Sequence, residues 1–174
     1  MKKLITALTV LCASFALQAA YTDYHVMLSV CAPGQIPIAQ SSIDGVRLHL
    51  IYGDLQNLNG FDCGIGCGRV REYMNGLQIG GGNVVGKDMA GAELGFVNLV
   101  SGDMAGFQFS LWNDVRTNGD GFQLGVCNTA GDFDGLQLGL VNWSNTMTGV
   151  QIGLLNFIDD ERFLYVFPFV NGRF

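Results

Sequence analysis

The chain has 174 residues, of which 49% are hydrophobic and 14% charged, and its formal net charge is −6. So high a hydrophobic content excludes a disordered chain, and an acidic balance without any basic cluster argues against nucleic acid as a partner. The length suits one domain with a hydrophobic core of its own.

The N-terminus has the three parts of a secretory signal peptide. Lys2 and Lys3 form a basic region, residues 4–17 form an apolar run, and the small residues Ala19 and Ala20 suit cleavage. Cleavage would leave a net charge near −8. No later run of about 18 apolar residues follows, so no transmembrane helix is predicted. We therefore expect export to the cell surface, outer membrane or periplasm of a bacterium.

A motif of eight residues recurs at intervals of 14 to 16 residues along the rest of the chain. It reads G-Φ-Q-Φ-G-Φ-Φ-N, where Φ is apolar. Its eight copies, the first two of them degenerate, begin at Gly45, Gly60, Gly76, Gly91, Gly106, Gly121, Gly135 and Gly149. Repeats of this length are typical of stacked arrays, in which each unit buries its apolar residues against its neighbours.

The motif alternates with a period of two. Taking each glycine as position 1, positions 2, 4 and 6 are apolar, whereas positions 3 and 5 are chiefly glutamine and glycine. This alternation is typical of β-strands, and the Gly-, Asp- and Asn-containing segments between copies are typical of turns. We expect positions 2, 4 and 6 to line the core and the Gln/Gly face to form a flat outer surface. The predicted fold class is all-β.

Two architectures accommodate such units. The favoured one is a tandem-repeat β-solenoid of about eight coils of 14–16 residues with end caps, because the even spacing shows no alternation of short turns and long loops. The alternative is an up-and-down β-barrel of 8–10 strands in the outer membrane, for which membrane association would follow. The terminal Phe174 favours the barrel, whereas Pro168 in the last strand disfavours it.

In a parallel solenoid, like residues of successive coils stack and can form ladders of side-chain hydrogen bonds. The predicted glutamine row contains Gln78, Gln108, Gln123, Gln137 and Gln151. The predicted asparagine row contains Asn83, Asn98, Asn113, Asn128, Asn142 and Asn156.

The chain divides into four predicted segments. They are a signal peptide (1–20), an N-terminal cap (21–44), the repeat domain (45–156) and a C-terminal cap (157–174). Caps are expected because an open sheet edge recruits other chains.

Cys31, Cys63 and Cys67 are disulfide candidates, since export places the chain in an oxidising compartment. A metal site and buried thiols are the other interpretations, but only His25 and His49 could supplement the thiols as ligands. We expect no metal, no cofactor and no catalytic residue.

Aspartates recur between the motif copies, at Asp88, Asp103, Asp120, Asp132 and Asp134. Calcium requires six to eight oxygen ligands, which repeats with one or two acids per turn do not supply. We therefore interpret these aspartates as turn-forming residues.

The G-x-Q-x-G-x-x-N series, together with the stretch from Gly45 to Gly53 and Pro168-Phe169-Val170-Asn171, resembles a family of exported bacterial surface-repeat proteins of leptospiral type. The resemblance covers roughly residues 44–174 and breaks at Cys63-Gly64-Ile65-Gly66-Cys67. The family has no assigned activity, so the resemblance implies an envelope location and offers no catalytic residues. We expect a structural or binding module, not an enzyme, whose partner is a protein or another envelope component.

Overall fold

The computed structural model describes residues 24–31, 34–36, 41–159 and 166–174. The predicted signal peptide (1–20) lies outside the described residues. The strands are β1 (Tyr24–Cys31), β2 (Gly34–Ile36), β3 (Ile43–Leu55), β4 (Leu58–Gly64), β5 (Cys67–Val70), β6 (Met74–Ile79), β7 (Gly82–Val85), β8 (Met89–Leu94), β9 (Val97–Val100), β10 (Met104–Leu138), β11 (Val141–Ile158) and β12 (Val166–Arg173).

Each coil contributes one stretch to each of two parallel sheets. In the first sheet β4, β6 and β8 stack in register, and in the second β5, β7 and β9 do so. The long strands β3, β10 and β11 run through both sheets. The described chain is therefore an all-β solenoid of about eight coils, as predicted. The barrel alternative is wrong, because a barrel of that kind needs antiparallel neighbours.

The glycine at motif position 1 bends every coil in the same place. All eight of these glycines have φ between 131° and 149°, a region that residues with a Cβ rarely adopt. A Cβ built on Gly135 would lie 2.0 Å from the carbonyl oxygen of Gly121 in the preceding coil. The glycine therefore allows both the bend and the close approach of successive coils.

The predicted alternation is present, but the faces are assigned the wrong way round. The side chains of the glutamine and asparagine rows point into the coil and are fully buried. The apolar residues at positions 2, 4 and 6 point outwards and are half-buried or exposed, as Phe109, Leu111 and Leu140 illustrate. The Gln/Gly face is thus an interior wall and not an interaction surface.

The width of the coil explains this reversal. A Cβ on Gly125, at position 5, would lie 2.8 Å from the side-chain nitrogen of Asn113 and 2.9 Å from the side-chain oxygen of Asn128. The two sheets are therefore too close at this end of the coil to enclose Phe or Leu side chains. Stacked amides fit, and their burial is tolerated because each can bond to its copy in the next coil.

The hydrophobic core occupies the other half of each coil, beside the asparagine and glutamine rows. It is formed by two rows that lie outside the eight-residue motif. The methionine row, two residues before each motif glycine, contains Ile43, Leu58, Met74, Met89, Met104, Gly119, Phe133 and Met147. The valine row contains Leu55, Val70, Val85, Val100, Val115, Ala130, Ser144 and Ile158. The Phe133 ring fills the space left by Gly119, where a Cβ would lie 2.5 Å from that ring.

Antiparallel pairing is found only at the two ends of the described stack. There β2 pairs with β1, and β12 pairs with β11. The carbonyl oxygen of Phe167 in β12 accepts a hydrogen bond of 3.1 Å from the Asn156 side chain. The C-terminal strand therefore covers the last coil and provides a partner for the end of its asparagine row.

The interior position of the glutamine row changes the expected effect of mutation. Gln137→Ala should cost about 2 to 4 kcal/mol, because it leaves the buried Oε1 of Gln123 without its donor and removes one of the three acceptors of the Gln151 amide. Leu138→Asp should cost less than about 2 kcal/mol, since the half-buried Leu138 lies on the outer face. Urea unfolding of both variants measures the difference, and a larger loss for Leu138→Asp would contradict the burial pattern.

The glycine bend gives a second stability prediction. Gly135→Ala should destabilise the protein by about 2 kcal/mol or more, because the new methyl group meets the Gly121 carbonyl at a positive φ. Gly82→Ala is the matched control, since the nearest atom to its Cβ is the Cys67 sulfur at 3.4 Å. Thermal unfolding should separate the two variants, and equal melting temperatures would refute the steric role of the bend.

Candidate functional site

The asparagine row forms a continuous ladder inside the coil. Each Nδ2 donates to the Oδ1 of the next asparagine, over distances of 2.8 to 3.0 Å from Asn83 to Asn156. The same nitrogen also donates to a backbone carbonyl of the next coil, for example from Asn128 to Leu138 at 2.9 Å. The ladder therefore holds the sheet corner in place, which is a structural role.

The glutamine row forms a second ladder. Gln151 donates to Gln137, Gln137 to Gln123, and Gln123 to Gln108, at 2.7 to 2.9 Å. Gln78 is separated from this series by Glu93 and donates instead to the Gly68 carbonyl at 2.9 Å. The predicted Gln residues thus occupy one interior row, but acidic Glu93 interrupts the series of amides.

The first two coils replace the amides of this row by charges. Arg47 makes two hydrogen bonds to the carboxylate of Asp62, at 2.7 and 2.5 Å, and His49 lies 3.1 Å from the same group. Gly68 leaves space for these side chains. The coil that begins at Gly60 has one residue more than its neighbours, and this shift places Gly68 in register with Asn83 of the next coil. Burial alone would raise the pKa of Asp62, but the hydrogen bonds from Arg47 and His49 outweigh it and lower that pKa. All three side chains are enclosed, so we assign them no catalytic role.

Glu93 is a fully buried carboxyl group, and burial raises its pKa to about 8. Gln108 donates to its Oε2 at 2.8 Å, while its Oε1 and the Oε1 of the neighbouring Gln78 are buried without a donor. A proton on Glu93 would supply the missing donor between these two oxygens. We therefore interpret Glu93 as a neutral acid that continues the row.

Cys63 and Cys67, two of the disulfide candidates, are not joined to each other in the described chain. Cys63 and Cys67 carry free thiols on either side of a sheet corner. Cys31 and Cys67 both pair with Tyr52, from opposite sides, so their Cα atoms are about 9.6 Å apart, beyond the reach of a disulfide. Burial raises the pKa of the Cys67 thiol, which makes it a weak nucleophile.

A groove of about 1160 Å³ runs along the stack, beside the methionine row. Two outward rows line it. The first contains Ser42, Asn57, Tyr73, Asp88, Asp103, Asn118, Asp132 and Thr146. The second contains Asp44, Asn59, Asn75, Ala90, Ala105, Asp120, Asp134 and Thr148. We call it the acidic groove, because it contains six carboxylates and none of the described lining residues is basic.

Side chains of the groove bond from coil to coil. Asp88 accepts a hydrogen bond of 3.0 Å from the backbone nitrogen of Asp103. Asp103 accepts from Thr117 and from the side chain of Asn118, both at 2.8 Å. These bonds lower the pKa of Asp103, so its carboxylate is ionised at neutral pH. By contrast, no described residue donates a hydrogen bond to the carboxylate of Asp120, which is exposed.

The sequence contained a signal for this groove. The five aspartates interpreted as turn residues all line it, because alternation turns the residues on both sides of the methionine row outwards. The groove itself was not predicted, since its walls lie outside the motif. The described residues hold no cluster of three or more His, Cys, Asp or Glu side chains suited to a metal ion. No helix in the described part of the chain is long and apolar enough to span a membrane.

Comparison with family models, with curated proteins and with solved structures finds no match to this chain. The fold and the groove are therefore the basis for any functional argument.

The buried acid predicts a pH-dependent stability. Below pH 4.5 Glu93 is protonated in both folded and unfolded chains, and it takes nothing from the stability of the fold. As pH rises from 4.5 to about 8 the unfolded chain releases this proton first, so stability should fall by on the order of 4 kcal/mol in total. Glu93→Gln should remove this fall and leave a continuous amide row.

The measurement is the free energy of unfolding at pH 5 and pH 8 for both proteins. The difference between them isolates Glu93 from other titrating groups. Asp62 acts in the opposite sense, and only as the pH falls below about 4. An identical pH dependence of the two proteins would show that Glu93 is not a buried neutral acid.

Proposed function

We propose that this chain is an exported surface-repeat protein that acts as a binding module, and that the acidic groove is its binding surface for an extended, positively charged ligand. The observation that carries the proposal is the groove itself, with six carboxylates along its two walls and no basic residue among the described residues that line it. Membership of a surface-repeat family and a location in the envelope agree with this role and stay predictions.

The shape of the groove favours a long ligand over a compact one. It runs along the stack, and its lining residues extend from Ser42 in the first coil to Thr148 in the last. Successive coils lie about 4.8 Å apart. Seven such steps span roughly 34 Å, which accommodates about ten residues of extended peptide. Because the carboxylates recur along this length, a basic segment of another envelope protein fits it better than a single cation does.

The chemistry of the groove favours a cationic ligand over an anionic one. Asp103 is held in its ionised form by hydrogen bonds, and Asp120 and Asp134 point outwards from adjacent coils. An anionic ligand such as nucleic acid would be repelled by these charges. The proposal includes no catalytic step.

The test uses a fluorescent peptide of ten lysines and measures its anisotropy on titration with the full chain. Binding should weaken as salt rises from 50 to 300 mM, because surface charges are screened. Asp120→Asn with Asp134→Asn should weaken binding about three- to tenfold. The matched control, Asp114→Asn with Asp159→Asn, removes two charges outside the groove and should change affinity less than about twofold.

Asparagine keeps the size and the hydrogen-bond acceptor of aspartate, so the variants should retain the fold. Equal weakening in the groove and control variants would show that only net charge matters and would refute the groove as the binding surface. Absence of peptide binding at low salt would refute a cationic ligand.

A further inference from the structure

The outer surface opposite the acidic groove is apolar over its whole length. At the corner between the two sheets, one exposed apolar side chain projects from seven of the eight coils, with 45% to 77% of its surface exposed. These residues, which we call the ridge, are Leu50, Ile65, Phe96, Leu111, Val126, Leu140 and Leu154.

Both flanks of the ridge are apolar as well. On the first sheet, positions 2 and 4 carry residues such as Phe107 and Phe122, whose rings stack with centroids 5.3 Å apart. On the second sheet, the row next to the ridge contains Tyr52, Cys67, Gly82, Val97, Trp112, Cys127, Val141 and Leu155. In the described chain no charged residue occupies the ridge or these flanking rows.

We propose that the ridge and its flanks insert into the outer layer of a lipid membrane, so that the solenoid lies flat on the membrane with its acidic groove facing water. Apolar surface of this extent is rare on a protein that stays in water. The occupant must contact two flanks that diverge from a convex ridge. Fluid acyl chains can contact both flanks at the same time, whereas the flat face of a second copy would cover only one flank.

On the first sheet the dimensions suit half a bilayer. On the second sheet the apolar strip is narrower, because Arg69 and Asp114 lie three to four residues from the ridge. The distance from the ridge, at motif position 6, to motif position 2 is four residues, or about 13 Å along a strand. The hydrocarbon layer of one leaflet is about 15 Å thick. The first carboxylates on that side, such as Asp120 and Asp134, lie two residues further from the ridge, at the depth of the headgroups or water. The in-register ladders also satisfy the backbone groups of the interior coils, as insertion into lipid requires.

Charge selects the kind of lipid. The chain carries a net charge of −6 and has an acidic edge, so an anionic surface would repel it. Vesicles of phosphatidylcholine should therefore bind it better than vesicles rich in phosphatidylglycerol.

The two tryptophans measure the depth of insertion. Trp112 is 50% exposed and adjoins the ridge residue Leu111, whereas Trp143 is 38% exposed and lies three residues beyond Leu140. The sequence contains no other tryptophan, so the N-terminal segment adds no signal. With phosphatidylcholine vesicles, the Trp143→Phe chain, which keeps Trp112, should show a blue-shifted emission and quenching by bromine deep in the acyl chain. The Trp112→Phe chain should be quenched best by bromine near the headgroup.

A pair of lysine variants in one coil tests the same inference by binding. Leu140→Lys places a charge on the ridge and should weaken partitioning into phosphatidylcholine vesicles at least about tenfold. Asn145→Lys adds the same charge at an exposed position that belongs to neither the ridge nor the groove lining, and should change partitioning less than about twofold. Circular dichroism confirms that both variants fold.

Several outcomes would overturn the proposal. One is a tryptophan emission spectrum that does not change when vesicles are added. This result would overturn the proposal if the chain is a monomer on gel filtration, and also if it is a dimer in which a second copy covers the ridge. Another is deeper quenching of Trp143 than of Trp112. Equal partitioning of the two lysine variants would also overturn it, and none of these results bears on lysine-peptide binding in the groove.

Discussion

The stacking of amide side chains inside the coil is the interaction on which the rest of the structure depends. A buried amide is stable only if its donors and acceptors find partners, and here the partner is the same residue one coil away. The row therefore requires identical residues in register at every step. It also requires a narrow interior, which Gly125 and Gly139 allow, because a Cβ would lie 2.8 Å at Gly125 and 2.7 Å at Gly139 from the nearest asparagine side-chain nitrogen. Repeat length, glycine positions and parallel register all follow from this requirement.

A second consequence is the distribution of polarity on the surface. The amides occupy one half of each coil, and the methionine and valine rows fill the other half. The large apolar residues of the motif are thereby left on the outside, around the corner that the amides occupy. The aspartates flank the methionine row at the opposite edge, because the residues on each side of an inward position point outwards. The placement of the amide rows in one half of each coil thus produces a molecule with an apolar edge and an acidic edge.

The sequence predicted the fold but not the orientation of its faces. Alternation in segments such as Gly135 to Asn142 predicted strands, and the even spacing of the copies predicted parallel coils. Both predictions depend only on the distance at which residues recur, and not on which face is buried. The faces were inferred from the rule that apolar residues point inwards, and that rule assumes an interior wide enough to hold them. The glycine at position 5 was the available sign of a narrow interior. The core residues, such as Met89 and Val100, lie outside the motif, so the motif does not predict them. The groove was not predicted for a related reason. Residues such as Asp103 lie in turns and also line the groove, and the sequence pattern indicates only the turn.

The degenerate first coils show how the same interior tolerates change. Arg47 and Asp62 occupy the glutamine row, and their bulk is accommodated because Gly68 stands where later coils have asparagine. A charge in one coil therefore required a partner in the next coil and a glycine across the interior. A row of identical amides does not distinguish one coil from another, so a coil could pair with its next-but-one neighbour at little cost in hydrogen bonds. Among the described residues a fully buried arginine–carboxylate pair occurs at this place only, and a mispaired Arg47 would be a buried charge without a partner. We therefore interpret Arg47 and Asp62 as the residues that specify the order of the coils, a constraint that the uniform ladders do not provide.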